Sequence, residues 1–297
     1  MSEEVVIRTL HDMMKNHGEH VLIVGTTGAG KTQTLYYVLA GTTAVGKETS
    51  VWFDSAKASE ILVLTQFGPL TIHVPAGHQV MIEPKDPALM EKIQFKSFYH
   101  AADLWDNVEP GRINVFCIEP FFPDPKIFSI TLTEIFRELI LRARGSMFNK
   151  KKIVPLGIFI DEIQWLVPGE RTALNRQHNE GAKWFQRNIE YLRAMGIRVV
   201  GATQAWYKVR PGTRDSFTWV LLKRGARFGI DRPHLAKKNY EWRALGVDEF
   251  VLVRPDQYYM EKKISTPFYG DGRSLGKVFY HEDEGVLPPI IPIPAHV

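Results

Sequence analysis

The sequence predicts an α/β chain with a mostly parallel sheet flanked by helices. Three observations predict it. Apolar runs of strand length recur at Val21–Val24, Arg112–Glu119, Ile153–Ile160 and Ile197–Ala202, and near-continuous apolar runs mark strands covered on both faces. Stretches of helical periodicity alternate with them. A Gly-rich loop joins the first run to the helix behind it.

Taken in order, Val5, Val6, Leu10, Met13 and Met14 sit at helical spacing, so residues 3–16 read as an amphipathic helix stopped by His17-Gly18. Residues 20–25 are the first core strand. The loop after it, Gly25-Thr26-Thr27-Gly28-Ala29-Gly30-Lys31-Thr32, reads G-x-x-x-x-G-K-T, the Walker A phosphate loop, and Gln33–Ala40 reads as the following helix. Glycines let successive N–H groups turn toward an anion, and the helix N-terminus adds partial positive charge. Lys31 is placed to reach the β- and γ-phosphates and the Thr32 hydroxyl to hold Mg²⁺, so ATP and Mg²⁺ are the expected cofactors. Gly41–Glu48 repeats the G-x-x-x-x-G-K spacing, but Glu48 stands where the metal-binding hydroxyl belongs; it reads as a surface loop.

Ser50–Phe53 is a short strand ending at Asp54. The stretch Asp54–Lys57 either puts charge at the C-terminal end of a strand, where open α/β sheets build sites, or caps a helix through Asp54 or Ser55. Within 61–99, Leu70–Val74 and Gln79–Ile82 alternate about the turn Pro75-Ala76-Gly77, which reads as an inserted β-hairpin. His73 and His78 beside that turn read as ordinary polar positions. Residues 98–107 are a candidate helix, Arg112–Glu119 a buried strand, and Ile130–Arg144 an amphipathic helix with Leu132, Ile135, Phe136, Leu139 and Ile140 on one face. Lys150-Lys151-Lys152 reads as a solvated loop, with a phosphate-backbone contact as the alternative. Cys117 is the one cysteine and reads as a buried apolar residue, which excludes a disulfide framework and a cysteine zinc cluster.

The run Ile153–Ile160 ends in Asp161-Glu162, a Walker B pattern. Asp161 would hold Mg²⁺, and Glu162 would orient and deprotonate the attacking water. Acid in the second position argues for hydrolysis rather than transfer to a small molecule. Residues 172–195 read as a long helix stopped by Gly196. The strand 197–202 ends at Thr203-Gln204, and the Gln204 amide suits a γ-phosphate sensor.

Together GTTGAGKT, IFIDE, LRAMGI and VVGATQ stand in an order that resembles the FtsK–HerA superfamily of P-loop motor ATPases. Its members include chromosome-segregation translocases, conjugation ATPases and viral genome-packaging ATPases. The resemblance spans roughly residues 20–265. It implies a RecA-like P-loop core working as a homo-oligomeric ring, usually a hexamer. It also implies that Arg193 acts as an arginine finger in the neighbour's site, with Arg224 and Arg227 as runners-up. Read from the residues alone, Arg193 caps its helix electrostatically. Asp54–Lys57 is similar to the family's D-x-K segment with one extra residue, and residues 245–267 are similar to its late strands.

The stretch Ala205–Arg214 alternates aromatic and basic residues around Pro211-Gly212. Lys208, Arg210 and Arg214, with Arg171 and Arg176, are the candidate DNA contacts; a packed surface loop is the competing reading. Residues 216–222 and 249–265 read as strands and 233–245 as a helix. Leu287–Pro294 cannot be helical and reads as an extended tail over 286–297, able to dock on a neighbour. Residues 1–285 form one expected domain.

A chain of 297 residues with net charge +4 and pI about 9.0 permits a nucleic-acid partner without demanding one. The start lacks a signal-peptide pattern, and no apolar run approaches the roughly 20 residues of a membrane span. The expectation is a cytoplasmic or virion-associated protein. The composite expectation is an ATP-hydrolysing ring motor that translocates double-stranded DNA and packages a viral genome, since compact members of the family tend to be packaging ATPases. The alternative is the ATPase of a conjugation, protein-secretion or virion-assembly machine, partnered by capsid or membrane machinery. No N/T-K-x-D motif supports a GTPase, no LSGGQ-like stretch a transporter, and Glu162 disfavours a kinase.

Overall fold

A computed structural model describes residues 3–55, 57, 59–148, 154–229, 231–254 and 263–282. The strands are β1 (His20–Val24), β2 (Thr49–Asp54), β3 (Leu70–Pro75), β4 (His78–Pro84), β5 (Ile93–Phe98), β6 (Ile113–Cys117), β7 (Leu156–Asp161), β8 (Ile197–Thr203), β9 (Phe217–Leu222), β10 (Glu249–Val253), β11 (Ile264–Ser265) and β12 (Gly276–Glu282). The helices are α1 (Glu3–Lys15), α2 (Lys31–Ala44), α3 (Ala101–Asp106), α4 (Pro125–Phe148), α5 (Arg176–Ala194), α6 (Pro211–Asp215), α7 (Pro233–Ala236) and α8 (Asn239–Arg243).

Among the described residues, ten strands make one sheet in the order β11-β10-β9-β1-β8-β7-β2-β6-β3-β5. From β9 to β5 every pairing is parallel, and β10 and β11 add an antiparallel edge. Every residue of β1, β2, β6, β7 and β8 is buried, the consequence of helices on both faces of a parallel sheet. α4 buries Leu132, Ile135, Phe136, Leu139 and Ile140, the face its spacing predicts.

Several expectations change. A two-stranded antiparallel sheet stands apart from the large one, but it is not the pair expected within 70–84. β3 lies inside the large sheet, parallel to β6 and β5, while β4 pairs antiparallel with β12. The burial of the two strands shows why: all six residues of β3 are buried, as a strand covered on both faces requires, whereas exposed positions alternate along β4. The turn is tied elsewhere too, because Ala76 N donates to Phe98 O at the end of β5. Gly41–Glu48 is not a surface loop. Its first four residues are the last turn of α2, and Glu48 is buried against Arg198. Residues 233–245 hold two short helices, α7 and α8, rather than one. Neither Asp54 nor Ser55 caps the turn that follows; the 3-10 helix Glu60–Gln66 starts after Ser59. Lys150–Lys152 and the tail 286–297 lie outside the described residues. No helix among those described is long and apolar enough to cross a membrane.

Candidate active site

Parallel strands deliver their C-terminal ends to one edge of the sheet. The Walker A loop leaves β1 there, Asp54 ends β2, Asp161-Glu162 ends β7 and Gln204 follows β8. Because β8 lies between β1 and β7, Gln204 stands between the phosphate loop and the acid pair. Thr27, Gly30, Lys31, Asp161, Glu162 and Gln204 face one cavity of about 740 Å³, within the range of small-molecule sites.

The loop is held from three sides. Gly25 N donates to Thr203 O at 3.1 Å, Thr26 N to Arg224 O at 3.1 Å, and Ala29 N to Thr26 O at 3.2 Å. Gly28 and Gly30 take φ of 72° and 75°, a region costly for any residue with a Cβ. Gly30 then opens α2, and Lys31, Thr32 and Gln33 of its first turn line the cavity. Lys31 Nζ donates to Thr26 O at 3.0 Å. Burial lowers its pKa, and Asp161 and Glu162 pull the other way.

The Thr32 hydroxyl donates to Asp161 Oδ2 at 3.3 Å, and Lys57 Nζ pairs with the same oxygen. Asp161 Oδ1 is buried with no hydrogen-bond partner among the described residues. A hydroxyl beside a carboxylate with an unsatisfied buried oxygen fits Mg²⁺, a hard cation that takes oxygen ligands. Lys57 thereby joins the site despite the extra residue in its segment. Burial, the largest single cause, lowers its pKa, but Asp161 together with Glu162 and Glu60 raises it, and the net shift is upward. β12 steadies this segment: Tyr280 donates its hydroxyl to Asp54 Oδ2 at 2.6 Å, and Val278 N donates to Ser59 Oγ. Burial raises two further carboxyls near the acid pair, Glu60 and Glu119, to about 7, with Asp161 adding to both shifts.

Glu162 adopts φ of 80°. A non-glycine residue in that region costs about 1–3 kcal/mol and is concentrated at functional sites. Its Oε1 accepts from Gln204 Nε2 at 3.0 Å, and its Oε2 from Gln164 Nε2. The arrangement can bind a polyphosphate in the glycine loop, hold a divalent cation at Thr32 and Asp161, and present a carboxylate base and an amide to water.

Other candidates lie elsewhere. Arg193 is half-exposed at the end of α5, 3.7 Å from Glu190, before β8 rather than at its site end. Arg224 touches its own chain's loop, donating to Gly28 O at 3.2 Å; Arg227 is exposed. Arg210 and Arg214 are committed inward and cannot contact a duplex as placed. Arg210 is 3% exposed and bonds Asn179 and Glu170. Arg214 pairs with Asp231 at 3.0 Å and stacks over Trp206, so the aromatic–basic alternation packs the two arginines as cation–π and ion-pair partners. Arg171 and Arg176 are exposed. Lys208 is half-buried, its Nζ donating to Gln204 Oε1 at 3.0 Å.

Sequence reasoning missed Gln164, whose signal was its place two residues after Glu162. It also missed that Val247, Asp248, Pro267 and Phe268 line the phosphate cavity. Phe268, 78% exposed, adds an aromatic ring to the cavity wall, and no local pattern announces it. His73 and His78 bond Asn114 and Ala76 O as ordinary polar groups.

No family model and no curated protein sequence matches the chain. Among solved structures, it is similar to the genome-packaging NTPase B204 of Sulfolobus turreted icosahedral virus 2, crystallised with AMPPCP: TM-score 0.47 and 12% identity, covering 84% of this chain and 98% of that one. It is also similar to B204, the DNA-packaging ATPase of Sulfolobus turreted icosahedral virus, at TM-score 0.46 and 14% identity, over 85% and 99% of the two chains. ATPases 2 and 3 of EssC from Geobacillus thermodenitrificans match at TM-score 0.46 and 11% identity, over 84% of this chain and 39% of that one. At such values the likeness decides nothing about chemistry, which rests on the site's own geometry.

Proposed function

We propose that this chain is an ATP-hydrolysing motor subunit that assembles into a ring, a hexamer, and moves double-stranded DNA, packaging a viral genome. The observation that carries the hydrolysis half is the convergence of the glycine loop, the acid pair and the Gln204 amide on one cavity. The DNA half is supported by the motif resemblance. It is supported also by an open groove between α4 and α5 lined by Arg137, Arg176, Lys183 and Arg187, with Glu134 and Glu180 among them.

Chemically, the loop N–H groups and Lys31 bind the triphosphate and offset the charge that gathers on it. Thr32 and Asp161 would hold Mg²⁺, which would supply positive charge to offset that of the triphosphate. Glu162 takes a proton from water as the water oxygen bonds to the γ-phosphorus and the bond to the β,γ-bridging oxygen breaks. Gln204 orients that water. Arg193 lies at the opposite end of β8, about 20 Å away for seven residues of strand. It cannot reach its own site, which favours service at a neighbour's.

The test is ATP turnover with and without duplex DNA. Turnover that depends on Mg²⁺ and rises on adding DNA supports the reading. Turnover indifferent to DNA but raised by a secretion substrate peptide would move the assignment to a protein-handling machine, and no turnover in the assembled ring would remove it.

A further inference from the structure

We infer that Lys208 is a positioning residue for hydrolysis, holding Glu162 idle through Gln204 until an anionic polymer draws its ammonium away. The inference rests on the reading of Glu162 as the base and of a phosphate backbone as the partner.

Both carboxylate oxygens of Glu162 are engaged, Oε1 by Gln204 Nε2 at 3.0 Å and Oε2 by Gln164 Nε2. Each amide occupies a lone pair on its oxygen and turns the carboxylate toward protein rather than toward an attacking water, so release of one amide frees a lone pair for that water. The Gln204 amide is itself oriented from outside. Lys208 Nζ donates to Gln204 Oε1 at 3.0 Å. An ammonium has donors only, so it fixes which end of the amide faces it and leaves Nε2 for Glu162. Gln164 supplies the other half: its Nε2 donates to Glu162 Oε2, while its Oε1 is buried without a partner among the described residues.

The setting of Lys208 suits a trigger. It ends the 3-10 turn Trp206–Lys208, beside Tyr207, which is 66% exposed. The main chain of that turn is pinned, Gly169 N donating to Lys208 O at 2.7 Å and Arg210 N to Val167 O at 3.1 Å. The half-buried side chain is therefore the part that can swing, on a flexible four-carbon stem, toward a phosphate at the surface.

The experiment compares ATP turnover by the full chain, with and without duplex DNA, for the parent, Lys208→Met, Lys208→Arg and Gln164→Leu. We expect Lys208→Met to raise kcat without DNA about tenfold, the scale of one lost hydrogen bond to a charged group, with KM for ATP unchanged and little further gain from DNA. Lys208→Arg, which keeps the donor, should behave as the parent. Gln164→Leu should also raise kcat while remaining DNA-responsive, and it decides the matter if Lys208→Met does not fold. A kcat without DNA at or below the parent's in the decisive variant overturns the inference. If that kcat rises while the parent ignores DNA, the latch stands and the assignment of DNA as partner falls.

Discussion

Gly30 marks the point where the loop turns into α2, at φ of 75°, and a Cβ there would be built onto the Val247 carbonyl oxygen. Backbone cannot yield as a flexible side chain can. Gly30→Ala should therefore cost about 2–4 kcal/mol and weaken ATP binding at least tenfold, checked by thermal unfolding and a nucleotide titration. At this scale the loop and the acid pair were legible, because each depends on a short run of residue types at fixed spacing. Gln204 was legible for the same reason, as a polar residue at the end of an apolar strand. Arg210 and Arg214 pack inward as placed, which their charge alone does not announce: Asn179 lies 31 residues from Arg210, and Asp231, which pairs with Arg214, lies outside the aromatic–basic stretch. The role of Lys57 likewise required the fold, since its partner Asp161 is 104 residues away.

Arg198 ties α1 to the sheet. Its guanidinium is fully buried and bonds the carbonyls of Met13 at 2.6 Å, Met14 at 3.2 Å and Asn16 at 2.6 Å, and the Glu48 carboxylate at 3.0 Å. One side chain on β8 thus satisfies the free carbonyls at the end of a helix. Removing one member of a buried pair strands the other's charge. Arg198→Met should lower stability by about 3–5 kcal/mol, and adding Glu48→Leu should recover much of that loss, both read by denaturant unfolding. Glu48 shows how element boundaries blur in sequence. Glu48 in place of the metal-binding hydroxyl made the repeated G-x-x-x-x-G-K stretch read as a surface loop, while the chain was finishing α2 and entering β2. β3 and β4 teach the same lesson. Their periodicity was readable, but pairing is chosen by what covers each face, and β4 finds its partner nearly 200 residues on, in β12.

For the whole molecule, the parallel sheet was legible from alternating apolar runs, but its strand order was not. That order matters, since β8 between β1 and β7 is what sets Gln204 beside Glu162. The direction of β8 puts Arg193 at the opposite end of that strand from Gln204, so the proposed role for it is service at a neighbouring subunit. Mixed rings of Arg193→Ala and Lys31→Ala subunits should recover part of the turnover that either variant lacks alone; rings verified as mixed that stay inactive would count against a finger acting between subunits. The central claim, that Glu162 is the base of a nucleotide-hydrolysing cavity, is tested most directly by ATP binding and turnover of Glu162→Gln. The account predicts a Kd for Mg·ATP within a few-fold of the parent's and a kcat lower by about 10²–10⁴. Turnover at the parental rate in that variant would contradict it.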